Sequence, residues 1–296
     1  MSERSYLDTL RHVLTRGHRV PTRATLKSTG EPVDALSVFA PHAMRFDLRP
    51  FPLLTTKRVN FRNVAAELLW FLSGSTDERD LAALGSGIWR PWADADGNVG
   101  PSYGYNWRSF GASAVYEGVD QIAEIVAGIR AVKANPRDDR ARRLVLTALD
   151  PATVDEAELY PCHVLAQWHV RGGMLSCHLY QRSADLFIGS PYNIASYALL
   201  THLMARATGL CPGKLVVSMG DAHIYTNHLE QANEQLTRGP YLPPSLVLPE
   251  MRFEVPSWGA LPQFLWPDGS ALTPDTLAAA LRDYKHHPAL SGEVAV

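Results

Sequence analysis

Residues 163–208 read HVLAQWHV (163–170), RGG (171–173), MLSCHLYQ (174–181), RSADLFIGSPY (182–192) and NIASYALLTHLMARAT (193–208). The first and third blocks have the length and the β-branched and aromatic content of strands, and Arg171-Gly172-Gly173 between them predicts a hairpin turn. The last block predicts a buried helix over about 193–208; His202 and Arg206 interrupt it, so it does not read as a membrane span. Further along, LVVSMGDAHIY (215–225) predicts another strand running into a polar turn, and RLVLTAL (143–149) an earlier one. Helices are expected over 4–17, where Tyr6, Leu10, Val13 and Leu14 share a face, over 61–73, ended by Gly74, and over 119–133, stopped at Asn135-Pro136. Helices and antiparallel strands mix here without regular βαβ alternation, which points to the α+β class. No charged linker or composition shift divides the first 240 residues, and Pro/Gly-rich stretches gather over roughly 239–270. The expectation is a single domain over 1–296 whose part from about 246 to 296 is looser.

Balance of charge narrows the function classes. With 28 Lys+Arg against 30 Asp+Glu, a net charge of −2 and 46% hydrophobic residues, the chain is neither disordered nor a strongly basic nucleic-acid binder. The start, MSERSYLDTLRHVLTRG, lacks the apolar core of a signal peptide, and no apolar run reaches membrane length. Cys162, Cys177 and Cys211 are odd in number and form no C-x-x-C pair. Neither a disulfide framework nor a zinc site is expected, so the reading is a cytoplasmic protein without a metal, in which any cysteine chemistry uses a single thiol.

Cys162 stands in LYPCH at the mouth of a strand. A free thiol with a pKa of about 8.5 is only slightly ionised at neutral pH, so a nucleophilic role requires cations or donors beside it. His163 is adjacent, but neighbours in a strand face opposite ways, which argues against a Cys162–His163 dyad. Arg182 follows a strand, and Arg142 and Arg143 lie in DDRARR at the start of another; guanidinium groups there suit a phosphate, although a solvated turn is the simpler reading of DDRARR. Asn193 is expected at the cap of the following helix, where its amide also matches the O4 and N3–H edge of uracil. Glu67, in an otherwise apolar helix, is either a snorkelling surface group or a carboxylate held inside for proton work. His223, Tyr225 and His228 are spaced too irregularly for a helical metal pair.

Seven segments carry a resemblance: FPLLTTKR (51–58), AELLWFLSG (66–74), IWRPWAD (88–94), GPSYGYNWR (100–108), YPCH (160–163), LSCHLYQRSADLFIGSPYNIASYALL (175–200) and GDAHIYTNH (220–228). In this order they resemble thymidylate synthase of the folate-dependent, cysteine-nucleophile type, over about residues 5–245. The resemblance implies an α+β fold on a large twisted mixed sheet surrounded by helices, dimerising through that sheet. It implies reductive methylation of dUMP to dTMP with 5,10-methylenetetrahydrofolate as cosubstrate. Cys162 would add to C6 of the pyrimidine. Arg182, Arg23 and Ser183 would hold the phosphate, joined by Arg142 and Arg143 of the second copy in a homodimer. Asn193 would read the uracil edge, and His223 and Tyr225 the ribose 3′-hydroxyl. Glu67 and His163 would order proton transfer, and Tyr103 would assist loss of the C5 proton. Asp185 would bind the pterin, Trp89 and Trp92 would wall the folate site, Lys57 would meet its glutamate tail, and Val296 would close the tail of the chain over it.

Two regions depart from the family. PTRATLKSTGEPVDALSVF (21–39) replaces a compact D-R-T-G-T-G turn, and the part after about 246 is divergent until Val294-Ala295-Val296. Because this superfamily includes pyrimidine nucleotide hydroxymethylases, in which water replaces the hydride, dUMP hydroxymethylation is the alternative activity. Asn193, where an aspartate would suit cytosine, favours uracil in either case. A non-catalytic nucleotide or RNA binder on the same fold is a third reading, disfavoured by the intact set of Cys162, Arg182, Asp185, Asn193 and Tyr103.

Overall fold

The computed structural model describes residues 2–255 and 260–295. Its helices are α1 (Ser2–Arg16), α2 (Phe61–Ser73), α3 (Glu78–Ala83), α4 (Tyr103–Arg108), α5 (Gln121–Ala134), α6 (Gly189–Ala207), α7 (Leu229–Thr237) and α8 (Pro274–Ala280). The main sheet holds β1 (His18–Val20), β2 (Ala35–Phe39), β3 (Met44–Asp47), β4 (Val145–Thr147), β5 (His163–Arg171), β6 (Met174–Asp185) and β7 (Cys211–Tyr225). The strands run in the order β1-β2-β7-β6-β5-β4, with β3 also on β7. The class is α+β on a mixed sheet, as the pattern predicts.

The hairpin forms as read: β5 and β6 are antiparallel from Arg171↔Met174 inward, and Gly172 and Gly173 take positive φ in the turn. β6 and β7 are parallel, joined through α6 as a βαβ crossover. A strand buried on one face and sandwiched between two others carries no residue pattern that distinguishes parallel from antiparallel neighbours, so only the connecting helix reveals it.

α2 is bounded as its sequence dictates. Asn60 caps it by accepting from the Asn63 N–H, and Gly74 ends it at φ 79° with its N–H on the Phe71 carbonyl. α6 packs against β6 and β7, α2 packs on α6, and Trp70, Trp107, Trp168, Tyr197 and Phe187 fill the layer between helices and sheet. The other side of the sheet leaves Leu165, paired with Tyr180, exposed beside Val145 and Met174. No helix among the described residues is long and apolar enough to cross a membrane.

The C-terminal part is built from short pieces. Residues Arg252–Glu254 pair with Gln263–Leu265, α8 lies on α2 with Asp275 bound by Arg62 at 2.6 Å, and Tyr284 donates to the Leu54 carbonyl while accepting from the Val59 N–H. The last described residues, 291–295, return to the 22–33 segment, where Ala295 bridges Leu26.

Candidate active site

Cys162 sits immediately before β5, next to a register shift between His163 and Leu165. Such a bulge turns side chains out of the regular alternation. The Tyr103 hydroxyl, at the start of α4, accepts from the Cys162 N–H at 2.7 Å and the His163 N–H at 3.3 Å, which fixes the backbone under the sulfur. Arg182 is the ladder partner of Cys162, donating its own N–H to the Cys162 carbonyl. Its guanidinium donates to the carbonyls of Tyr160 (2.6 Å) and Pro161 (2.8 Å), lies over the Tyr160 ring, and reaches Sγ at 3.7 Å. Burial pushes the Cys162 thiol up, while Arg182 and then Arg23 pull it down. Burial outweighs the two arginines, which oppose only part of its effect, so the thiol of the free protein stays above its ordinary pKa.

Across the cavity, Glu67 projects from α2. It is buried, and its carboxylate accepts from Trp89 Nε1 at 2.7 Å. Burial raises its pKa to about 7 despite that hydrogen bond, so the interior reading of Glu67 holds. His163, packed against Tyr103 and Tyr197, is held neutral by burial, with its pKa lowered to about 4.

Asn193 corrects an expectation. The helix begins four residues earlier, at Gly189, with Ile188 as its cap, so Asn193 is not the capping residue. Asp185 closes the turn ahead of it by accepting from the Phe187 (2.9 Å) and Ile188 (3.1 Å) N–H groups, and Pro191 has no N–H to satisfy in the first turn. Freed from capping, the Asn193 carbonyl oxygen accepts from Gln181 Nε2 at 2.9 Å. Gln181 was missed from sequence, although its inward place on β6 after Leu175, Cys177 and Leu179 marks an amide facing the interior.

Glu67, Trp89, Trp92, Tyr103, Cys162, His163, Ser183, Asp185 and Asn193 surround one cavity of about 310 Å³, together with Phe71, Ile188, Tyr192 and Val294. Asp185 presents to it a carboxylate of which one oxygen takes both backbone bonds. An apolar slot beside two indoles, with the Asp185 carboxylate presented to it, suits a flat heterocycle bearing N–H donors. His223 lies nearby with Nδ1 at 3.4 Å from Asp221 and its ring against Tyr225.

Of the predicted residues, Arg23, Arg182, His223, Tyr225, Arg142, Arg143 and Lys57 do not line this cavity. Arg142 and Arg143 are exposed at the edge of the sheet and do not line the cavity; Arg143 pairs with Asp139 at 2.9 Å. Lys57 is buried, its ammonium on the Phe187 carbonyl and 3.7 Å from the Phe187 ring centre, and burial lowers its pKa to about 8. With its donor directed into the protein, it does not offer a free cation to a glutamate tail. Val296 lies outside the described residues.

A family model described as "Thymidylate synthase" matches residues 4–296. The chain belongs to the thymidylate synthase family, enzymes that transfer a one-carbon unit using methylenetetrahydrofolate as cosubstrate.

Proposed function

We propose that this family member converts dUMP to dTMP, with Cys162 as the nucleophile. The observation that carries this reading is the Cys162–Arg182 pair at the edge of a cavity walled by Trp89 and Trp92, with the C-terminal tail reaching it through Val294. A nucleophile that must add to C6 needs its charge matched by cations, and the arginine beside Sγ supplies this.

In this reading Arg182, Ser183 and Arg23 bind the phosphate, and His223 and Tyr225 the ribose. Asn193 reads the base: Gln181 donates to its side-chain oxygen, and its NH₂ would donate to O4, the group that distinguishes uracil from cytosine. As Cys162 forms its bond to C6, negative charge moves through C5 onto O4. Glu67, with a pKa near neutrality, is suited to manage a proton there through water, helped by His163. Tyr103 stands where the C5 proton leaves. Asp185, Trp89 and Trp92 hold the folate, which supplies the one-carbon unit and the hydride.

The exposed Leu165–Tyr180 face and the distance of Arg142 and Arg143 from the cavity support a homodimer in which each copy lends these arginines to the other's phosphate site. Mixing inactive Cys162→Ala and Arg142→Ala subunits should then restore activity; heterodimers that stay inactive would refute the sharing. A single-domain protein of the cytoplasm fits the same reading.

The deciding experiment incubates the protein with dUMP and 5,10-methylenetetrahydrofolate, identifies the nucleotide by mass spectrometry and follows dihydrofolate by absorbance. Methylated nucleotide matched by dihydrofolate is expected. Hydroxymethylated nucleotide without dihydrofolate would replace this reading with the hydroxymethylase.

A further inference from the structure

The 22–33 segment, within the stretch where the sequence departs from its family, meets the C-terminal tail. Residues 22–33 form a small hairpin: Thr22 Oγ1 donates to the Val33 carbonyl at 2.6 Å, the Val33 N–H to Ala24 at 2.9 Å and the Leu26 N–H to Glu31 at 2.9 Å, while Gly30 turns the tip at φ 73°. The tail lies along it as a further extended segment, with Ala295 buried between Ala24 and Val33 and bridging Leu26. Glu293 holds the outer end. One carboxylate oxygen accepts the Ser28 N–H and the other the Ser28 hydroxyl, both at 2.7 Å. On an extended chain side chains alternate, so Glu293 and Ala295 face the hairpin while Val294 between them lines the cavity.

A second anchor fixes the same residue from the protein side. The Glu293 carbonyl accepts from Asn227 Nδ2 at 3.0 Å and His228 Nε2 at 2.8 Å. Gly292 passes so close to the His228 ring that a Cβ there would lie 2.5 Å from Cδ2. The His228 ring in turn packs 5.2 Å from Phe187, in the turn that Asp185 closes.

We propose that Glu293 is a positioning residue that locks the 22–33 hairpin and the C-terminal tail into one wall, so that Arg23 and the cavity-lining Val294 are set together. The proposal rests on the functional reading only for what the wall encloses; the lock itself is a property of the free protein. Two donors from one residue onto one carboxylate make a bidentate, charge-assisted contact that a carboxamide does not reproduce, because its NH₂ would face a donor. If water exclusion depends on this wall, loosening it lets water compete for the C5 methylene. Water would then add its oxygen to that carbon and release a proton, while the electron pair of the exocyclic double bond re-forms C5=C6 and expels the Cys162 thiolate, leaving 5-hydroxymethyl-dUMP.

The test compares wild type, Glu293→Gln, Ser28→Ala, the double variant and Ser28→Thr. The first readout is hydrogen exchange of the ligand-free protein. Exchange in 22–33 and 291–295 should rise together, by about tenfold, in either single variant and no further in the double one, while Ser28→Thr, which keeps both donors, should match wild type. The Kd of dUMP without folate should rise about threefold in the same variants, through Arg23. Hydroxymethyl product should increase relative to whatever ratio wild type gives. Loosening of the tail alone, or of neither segment, overturns the lock. A wild type that makes no methylated nucleotide overturns the functional reading instead, and leaves the exchange result to judge the lock independently.

Discussion

The cavity has two unlike sides. On one, Cys162, Arg182, Glu67 and Asn193 stand on β5, β6, α2 and α6, and their polar atoms are held by backbone groups or by buried partners such as Tyr103, Trp89 and Gln181. On the other, Val294 lines the cavity from a chain end and Arg23 bears on the Cys162 thiol from a loop, beside exposed Ser28 and Glu293 and the small cluster of Ala24, Val33 and Ala295. Groups that must keep sub-ångström geometry during bond making gain from regular elements, whose opening requires breaking the core. A wall that must admit two substrates cannot be so fixed. The departure over 21–39 falls on the second side, so the first predicts what chemistry starts and the second how it ends.

The largest effects should therefore come from the first side. Cys162→Ala should abolish release of tritium from C5-labelled dUMP, by about 10⁴-fold or more, because no other group can form the bond to C6. Binding of dUMP should stay within about threefold, since the sulfur is not among the phosphate, ribose or base contacts. A variant that loses both would show that Cys162 supports the cavity as well as the reaction, and would blur the contrast.

Glu67→Gln comes next, with an expected loss of about 100-fold in tritium release. It also has a signature in stability. The folded carboxyl keeps its proton up to about pH 7, whereas an exposed one releases it near 4.5. Between those values the native state binds more protons, so stability falls as pH rises through this window and its contribution is fully present only below it. Glutamine does not titrate, so the drop in Tm from pH 5 to pH 8 should be smaller in the variant. His163, neutral in the fold, contributes equally to both proteins and cancels. An unchanged drop would mean that Glu67 is solvated and ionised at neutral pH.

Arg182→Lys should cost about tenfold, because a point charge does not hold two carbonyls and the sulfur as a planar fork does. Burial already raises the Cys162 thiol and Arg182 opposes that rise, so weakening this partner must move the thiol pKa upward. The pH midpoint of Cys162 alkylation should shift up accordingly. A midpoint that stays put would transfer the role to Arg23, and with it part of the chemistry to the looser side.

The difference between the sides also governs what the sequence discloses. The β5–β6 hairpin follows from alternation around Gly172-Gly173, and the end of α2 from Gly74, because these are local rules acting over a few residues. Asn193 was misplaced by such a rule: an asparagine before an apolar run reads as a cap, but Asp185 had already closed the turn. Lys57 is assigned to the glutamate tail by resemblance alone, and nothing local reveals that its ammonium lies over the Phe187 ring. The contact between Ser28 and Glu293 spans 265 residues between two segments without periodicity, so neither carries a sign of the other. Arg142 and Arg143 keep the simpler reading of DDRARR open, since both are exposed and neither lines the cavity.

Gly292→Ala should have the smallest effect of the four and tests the looser side most finely. The added Cβ would fall 2.5 Å from His228 Cδ2 and 2.7 Å from Nε2, closer than carbon contacts allow, so either the tail or the ring must move. His228 is buried against Phe187 and has little room, whereas residues 291–294 are largely exposed, so the tail should yield. Tm should change by no more than about 2 °C, because the strand and helix core is untouched. Tritium release at saturating substrate should remain near wild type, since Cys162, Arg182 and Glu67 are not displaced, while the KM for folate rises about threefold through Val294. A fall in kcat with unchanged KM would mean that the displacement passes through His228 and Phe187 to Asp185, and the two sides would then be mechanically one.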